Sequence, residues 1–166
     1  DEYSLNLTYA TLLCSLKYVR VAGGEKDEGI RKKAGYFQTE QKLVNEIWER
    51  VGIVKGSRYP FTYIMEAADD IAYSTADLED ALKKKMFSLK EFIAYFKGNL
   101  EDDEKAQLLI KDLERRLENV QDEESEMIAF QNWMDYARGW FMYCVTYSFS
   151  RNYKSIMNGE FQRELI

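Results

Sequence analysis

The stretch FTYIMEAADDIAYSTADLEDALKKK, Phe61 to Lys85, sets carboxylates among residues of apolar type. Asp69, Tyr73 and Asp77 are spaced i, i+4 and i+8, so on a helix they form one stripe. At a rise of about 1.5 Å per residue the stripe is roughly 12 Å long, enough for a small phosphorylated molecule to lie along it. Asp69 and Asp70 stand between Ala67, Ala68, Ile71 and Ala72. Adjacent side chains point about 100° apart, so both acids avoid the core only if the apolar arc is narrow. An unpaired buried carboxylate is costly, and aspartate is a poor residue for a helix interior. One of the pair is therefore expected to meet a cation or a donor. For Asp77, Glu79 and Asp80 a solvated helix face explains the acids as well.

Composition removes several chemistries. The chain has no histidine, which excludes within it a Ser-His or Cys-His nucleophile, a His-containing zinc site and a Glu-x-x-His di-iron bundle. A net charge of -6 argues against a general nucleic-acid binder. With 166 residues, 46% apolar and 31% charged, one soluble globular domain over residues 1–166 is expected. No apolar run is long enough to cross a bilayer, and DEYSLNLTYA lacks a signal-peptide pattern. Cys14 and Cys144, in apolar surroundings, are expected to be reduced and buried, which fits a cytoplasmic protein. The chain begins without Met and ends on FQRELI, and it reads as a piece of a longer one.

The elements that position these residues are expected to be helices, giving an all-α, multi-helix bundle. A first helix is expected over Leu7–Val19. The segment RVAGGEKDEGIRKKAGYFQ reads as a long, functional loop. A second helix runs from about Glu40 to Arg50, with Thr39 as N-cap and Gly52 just past its end. Pro60 opens the long helix. Ser88 with Glu91 forms a capping box for the next, which Gly98 closes. Leu108, Leu109, Leu113 and Leu117 line one side of an amphipathic helix. A last, aromatic helix covers about Glu124 to Met157 and ends at Gly159.

SRYPFTYIMEAADDIAYSTADLEDA resembles a signature of the HD-domain deoxynucleoside triphosphate triphosphohydrolases, the dGTPase family: an Arg-x-Pro, a Met-Glu-Ala-Ala-Asp-Asp-Ile block, then Asp-Leu-Glu-Asp. Upstream, LNLTYATLLCSLKY looks like the family's helix ending in Lys-Tyr, and KKAGYFQTE like its Lys-x-Gly-Tyr/Phe-Phe segment. Downstream, NYKSIMNGEFQRELI is similar to its Ile-x-x-Gly-x-Phe region. The resemblance is weaker through Leu100 to Glu126. It implies a partial HD-domain-like bundle from an enzyme that hydrolyses a dNTP to a deoxynucleoside and inorganic triphosphate. It implies a divalent cation such as Mg or Mn, polarising the α-phosphate, with Asp69 as one ligand and Asp70 as a hydrogen-bond acceptor behind the metal or a salt-bridge partner. It implies that Tyr73 packs under the deoxyribose, excluding a 2′-hydroxyl, and that Asp77 accepts from the 3′-hydroxyl. Lys17 and Lys33 match lysines that hold the triphosphate, and Tyr18 reaches toward the phosphates. Arg58 is expected to brace the start of the long helix rather than to touch phosphate. Homo-oligomers are also implied.

The chain departs from the family in lacking the His and the His-Asp pair that complete the metal site. The resemblance therefore implies the middle-to-C-terminal part of such an enzyme, inactive on its own. Two other readings compete. Glu66 and Asp69, at i, i+3, match magnesium-binding helices of all-α nucleotide pyrophosphohydrolases, which need a second acidic helix; Asp122–Glu126 is a poor candidate for it. The aromatic run NWMDYARGWFMYCVTYSF would serve an assembly module without chemistry of its own.

Overall fold

The computed structural model describes residues 5–165. The architecture is all-α, with six helices and a two-stranded parallel pair among the described residues. In order these are α1 (Tyr9–Cys14), β1 (Arg20–Val21), β2 (Ala34–Tyr36), α2 (Gln41–Val51), α3 (Pro60–Lys83), α4 (Leu89–Asn99), α5 (Glu104–Leu117) and α6 (Glu123–Met157). No helix among the described residues is long and apolar enough to cross a membrane. Cys14 and Cys144 are half-buried and unbridged, and burial pushes the Cys14 thiol up from its ordinary value.

The residues fall into two compact units. One holds the described residues up to Asp69 together with those from Cys144 on; the other is Asp70–Tyr143. In the first unit, Leu13 of α1, Ile47 and Trp48 of α2, Tyr63 and Ala67 of α3, and Val145 and Ile156 of α6 are buried. The Trp48 indole Nε1 donates to the Ser57 carbonyl at 3.1 Å, so its one polar atom is satisfied in the core. Gly52 (φ 75°) ends α2, its N–H reaching the Trp48 carbonyl at 3.0 Å.

In the second unit, Phe92 of α4, Leu109, Ile110 and Leu113 of α5, and Phe130, Trp133 and Met134 of α6 form one apolar cluster. Each such side chain contributes about 1.5–3 kcal/mol on burial. Phe92 and Phe130 meet edge to face at 5.6 Å, and Trp133 Nε1 donates to the Leu109 carbonyl at 2.9 Å. Ser88 and Glu91 cap α4 as the sequence predicts: the Glu91 carboxylate accepts from the Ser88 N–H at 2.8 Å. Asp103 caps α5, accepting from the Lys105 and Ala106 amides at 3.0 Å each.

Several boundaries differ from the sequence reading. α1 stops at Cys14 rather than Val19, because the chain turns at Ser15 and then extends into β1. Thr39 does not cap α2; it lies inside a short 3-10 turn, Gln38–Glu40, at whose start the Glu40 carboxylate accepts from the Phe37 N–H at 2.8 Å. Gly98 lies inside α4, whose cap is Leu100. Pro60 opens α3 and Gly159 (φ 73°) follows α6, as expected.

Candidate functional site

In the first unit the expected loop Arg20–Gln38 is folded around the parallel pair. Arg20 aligns with Ala34 and Val21 with Tyr36, with a register shift between them. The Ala22 N–H donates to the Tyr36 carbonyl at 2.8 Å, and the Val19 N–H to the Ile30 carbonyl at 3.1 Å. Gly35 makes the close approach: a Cβ built there would stand 1.6 Å from the Tyr18 carbonyl oxygen. No residue larger than glycine lets the two segments come so near. The result brings together two residues singled out from the sequence, Tyr18 and Lys33. Lys33, exposed, places its ammonium 5.7 Å from the Tyr18 ring centroid, and Tyr18 adjoins Lys17 in the chain.

Lys17 itself is held from two sides. Its ammonium pairs with the Glu66 carboxylate of α3, whose side chain is only 12% exposed. Its carbonyl oxygen accepts from Arg58 Nε at 2.8 Å. Thr62 Oγ1 donates to the Leu13 carbonyl at 3.0 Å, fixing the end of α1 against the start of α3. Arg58 is therefore a brace, as expected, but its hydrogen bond goes to the backbone of Lys17. Neither Glu66 nor this use of Arg58 was read from the sequence. Glu66 was considered only as a magnesium ligand beside Asp69, and its carboxylate is taken up by Lys17 instead.

Along α3 the buried positions are Thr62, Tyr63, Ala67, Ile71 and Thr75, mostly a stripe of every fourth residue. The apolar arc is narrow. Asp69 and Asp70 both lie outside it and are exposed, as are Ala72 and Ala76. Neither aspartate is buried: Ala67 lies in the narrow arc, Ala68 is half-buried at its edge, and Ala72 is on the surface with the acids. Neither aspartate has a hydrogen bond or ion pair among the described residues, so the salt bridge considered for Asp70 is not formed among them. Tyr73, at 67% exposed, and Asp77 also stand open on the same helix.

Among the described residues no group of three or more His, Cys, Asp or Glu side chains is placed to hold a metal ion. The described residues alone therefore do not complete a divalent-cation site; among them Asp69 supplies one open carboxylate. Within the second unit, Glu79 is not a solvated acid. It pairs with Arg138, which also donates through Nε to Thr75 Oγ1 at 2.8 Å and through Nη1 to Asp135 at 2.6 Å. The acids at the start of α6 are used structurally: Asp122 accepts from the Ser125 N–H and hydroxyl at 2.8 Å each, and Glu123 pairs with Lys85 at 2.9 Å. Two acids of the segment weighed as a second magnesium-binding helix are therefore already paired.

No family model matches the chain. The deoxyguanosinetriphosphate triphosphohydrolase-like protein of Listeria monocytogenes is 35% identical over 167 residues, which cover 100% of this chain and 36% of that protein. The deoxyguanosinetriphosphate triphosphohydrolase of Enterobacter sp. is 33% identical over 178 residues, covering 98% of this chain and 34% of the relative. That of Yersinia enterocolitica is 42% identical over 92 residues, covering 52% of this chain. The chain spans about a third of the length of the first two relatives. Along its whole length, the chain therefore matches a fragment of the deoxyguanosinetriphosphate triphosphohydrolase family.

Proposed function

We propose that this chain supplies the triphosphate and sugar contacts, and one metal-ligating carboxylate, of a dNTP triphosphohydrolase. The reading is supported by the names of the relatives, and above all by one feature: the β1–β2 pair brings Lys33 over the ring of Tyr18, the chain neighbour of Lys17. Lys33, fifteen residues on from Tyr18 in the chain, comes to lie over that ring. Lysine ammoniums are compact point charges suited to phosphate oxygens, and they neutralise the charge that grows on a departing triphosphate. Tyr73, exposed on α3, offers a ring for a deoxyribose to rest on; a ring packed under the sugar would exclude a 2′-hydroxyl. Asp77 accepts the sugar's 3′-hydroxyl.

Asp69 would be one ligand of a divalent ion whose other ligands come from sequence outside these 166 residues. Its open position leaves it available for this, and Asp70 would then accept a hydrogen bond from a group behind that site. A cytoplasmic location and homo-oligomers go with this reading; two unbridged cysteines favour the first. The test is the product formed by the full-length protein from dGTP, read by phosphorus NMR. Inorganic triphosphate and its loss in Asp69→Ala support the proposal. Pyrophosphate as product, or wild-type turnover in Asp69→Ala, rejects it.

A further inference from the structure

We infer that Arg58 is a positioning residue for Lys17, and that the C-terminal tail acts on Lys17 through it. The inference rests on the reading of Lys17 as a triphosphate contact. Arg58 is 2% exposed, so its charge is held inside the first unit at a cost that a neutral brace would avoid. Its Nε reaches back 41 residues to the Lys17 carbonyl oxygen, at 2.8 Å. Its guanidinium carbon lies 5.0 Å from the Tyr63 ring centroid. A planar guanidinium donates in its plane while stacking through its face; a lysine in its place does one or the other. Arg58 Nη1 has no hydrogen-bond partner among the described residues, so the Lys17 carbonyl and the Tyr63 ring are the contacts that fix the group.

Tyr63 is fixed in turn by the tail. Its hydroxyl donates to the Phe161 carbonyl at 2.5 Å, and its ring meets the Phe161 ring edge-on at 5.4 Å. The Arg163 guanidinium lies 5.4 Å from the Phe161 centroid. One run of contacts thus leads from Phe161 through Tyr63 and Arg58 to the backbone of Lys17. Glu66 holds the other end of the same residue, pairing with its ammonium. A lysine pinned at both ends holds its ammonium in a fixed place, so less freedom is lost when a phosphate arrives.

The experiment measures binding of inorganic triphosphate to the full-length protein by calorimetry, for wild type, Lys17→Gln, Arg58→Gln, Tyr63→Phe and the double variants with Lys17→Gln. Circular dichroism sets a temperature at which each is folded. Arg58→Gln is expected to weaken binding roughly ten-fold, the usual scale for a residue that orients a ligating one. In the Lys17→Gln background the same change is expected to add nothing, because a positioning residue acts only through what it positions. Tyr63→Phe, which removes a single hydroxyl, is expected to give a smaller loss that also vanishes in that background, and it carries the test if Arg58→Gln does not fold. Effects that add in the double variants, or wild-type binding by folded Arg58→Gln, overturn the inference while leaving the role of Lys17 standing. Wild-type binding by Lys17→Gln overturns that role and the inference together.

Discussion

Gly35→Ala is the change that most sharply separates fold from site. The added methyl carbon would stand 1.6 Å from the Tyr18 carbonyl oxygen and 2.6 Å from its carbon, both backbone atoms that cannot swing aside. β1 and β2 must part. The ladder between them and the Ala22 to Tyr36 bond go with the pair. Losing two such bonds costs about 2 kcal/mol at about 1 kcal/mol each. For a chain of this size each kcal/mol moves the melting temperature by about 2–4 °C, so a fall of about 4–8 °C is expected. Gly139→Ala is the matched control. It lies exposed within α6, and an added Cβ meets nothing within 4 Å. There alanine is expected to raise stability by up to about 1 kcal/mol through helix propensity. The two variants, melted by calorimetry, should therefore move in opposite directions. Gly35→Ala is also expected to weaken triphosphate binding, because β2's approach carries Lys33 over Tyr18. A Gly35→Ala protein melting within a degree of wild type would refute the reasoning about the strand pair.

Leu113, fully buried in the second unit, should cost about 2–5 kcal/mol on truncation to alanine, read as a lowered urea midpoint with an unchanged slope. Ser88→Ala removes the α4 cap and should cost about 1 kcal/mol; no change would mean the box is decorative. Acid should act on the second unit through paired carboxylates. The hydrogen bond from Arg116 holds Asp112 below the ordinary carboxylate range, as Ser125's backbone N–H does for Asp122 and Ser88's for Glu91. Folded values below the unfolded ones mean that the folded state binds fewer protons. This stability is complete above the usual carboxylate range of about pH 4 and is lost as pH falls through the lower, folded values. Urea midpoints should thus decline as pH falls below about 4, less steeply in Asp112→Asn, and a flat profile would exclude the pairing.

What was legible in the sequence was what neighbouring residues decide. Pro60, the Ser88–Glu91 box and Gly159 mark their helix ends because each acts within a few positions of itself. The aromatic helix from Glu123 was found by its length and lack of breakers. The parallel pair was not legible. Its strands are two and three residues long, too short for an alternating pattern, and they are held by bonds across the loop and by the space at Gly35. The contact of Arg58 with Lys17 spans 41 residues and leaves no local trace. One of Asp69 and Asp70 was expected to meet a cation or a donor because the apolar residues beside them were counted as a broad core face. On α3 the stripe Tyr63, Ala67, Ile71 and Thr75 takes the interior, and Ala72 and Ala76 are left outside with the acids.

The most direct test of the account is a crystal of the full-length protein soaked in manganese, with the metal located by anomalous scattering. The account expects a peak in direct contact with the Asp69 carboxylate, shared with side chains from outside this stretch. An Asp69 that faces bulk solvent while manganese binds elsewhere, or not at all at saturating concentration, would contradict it.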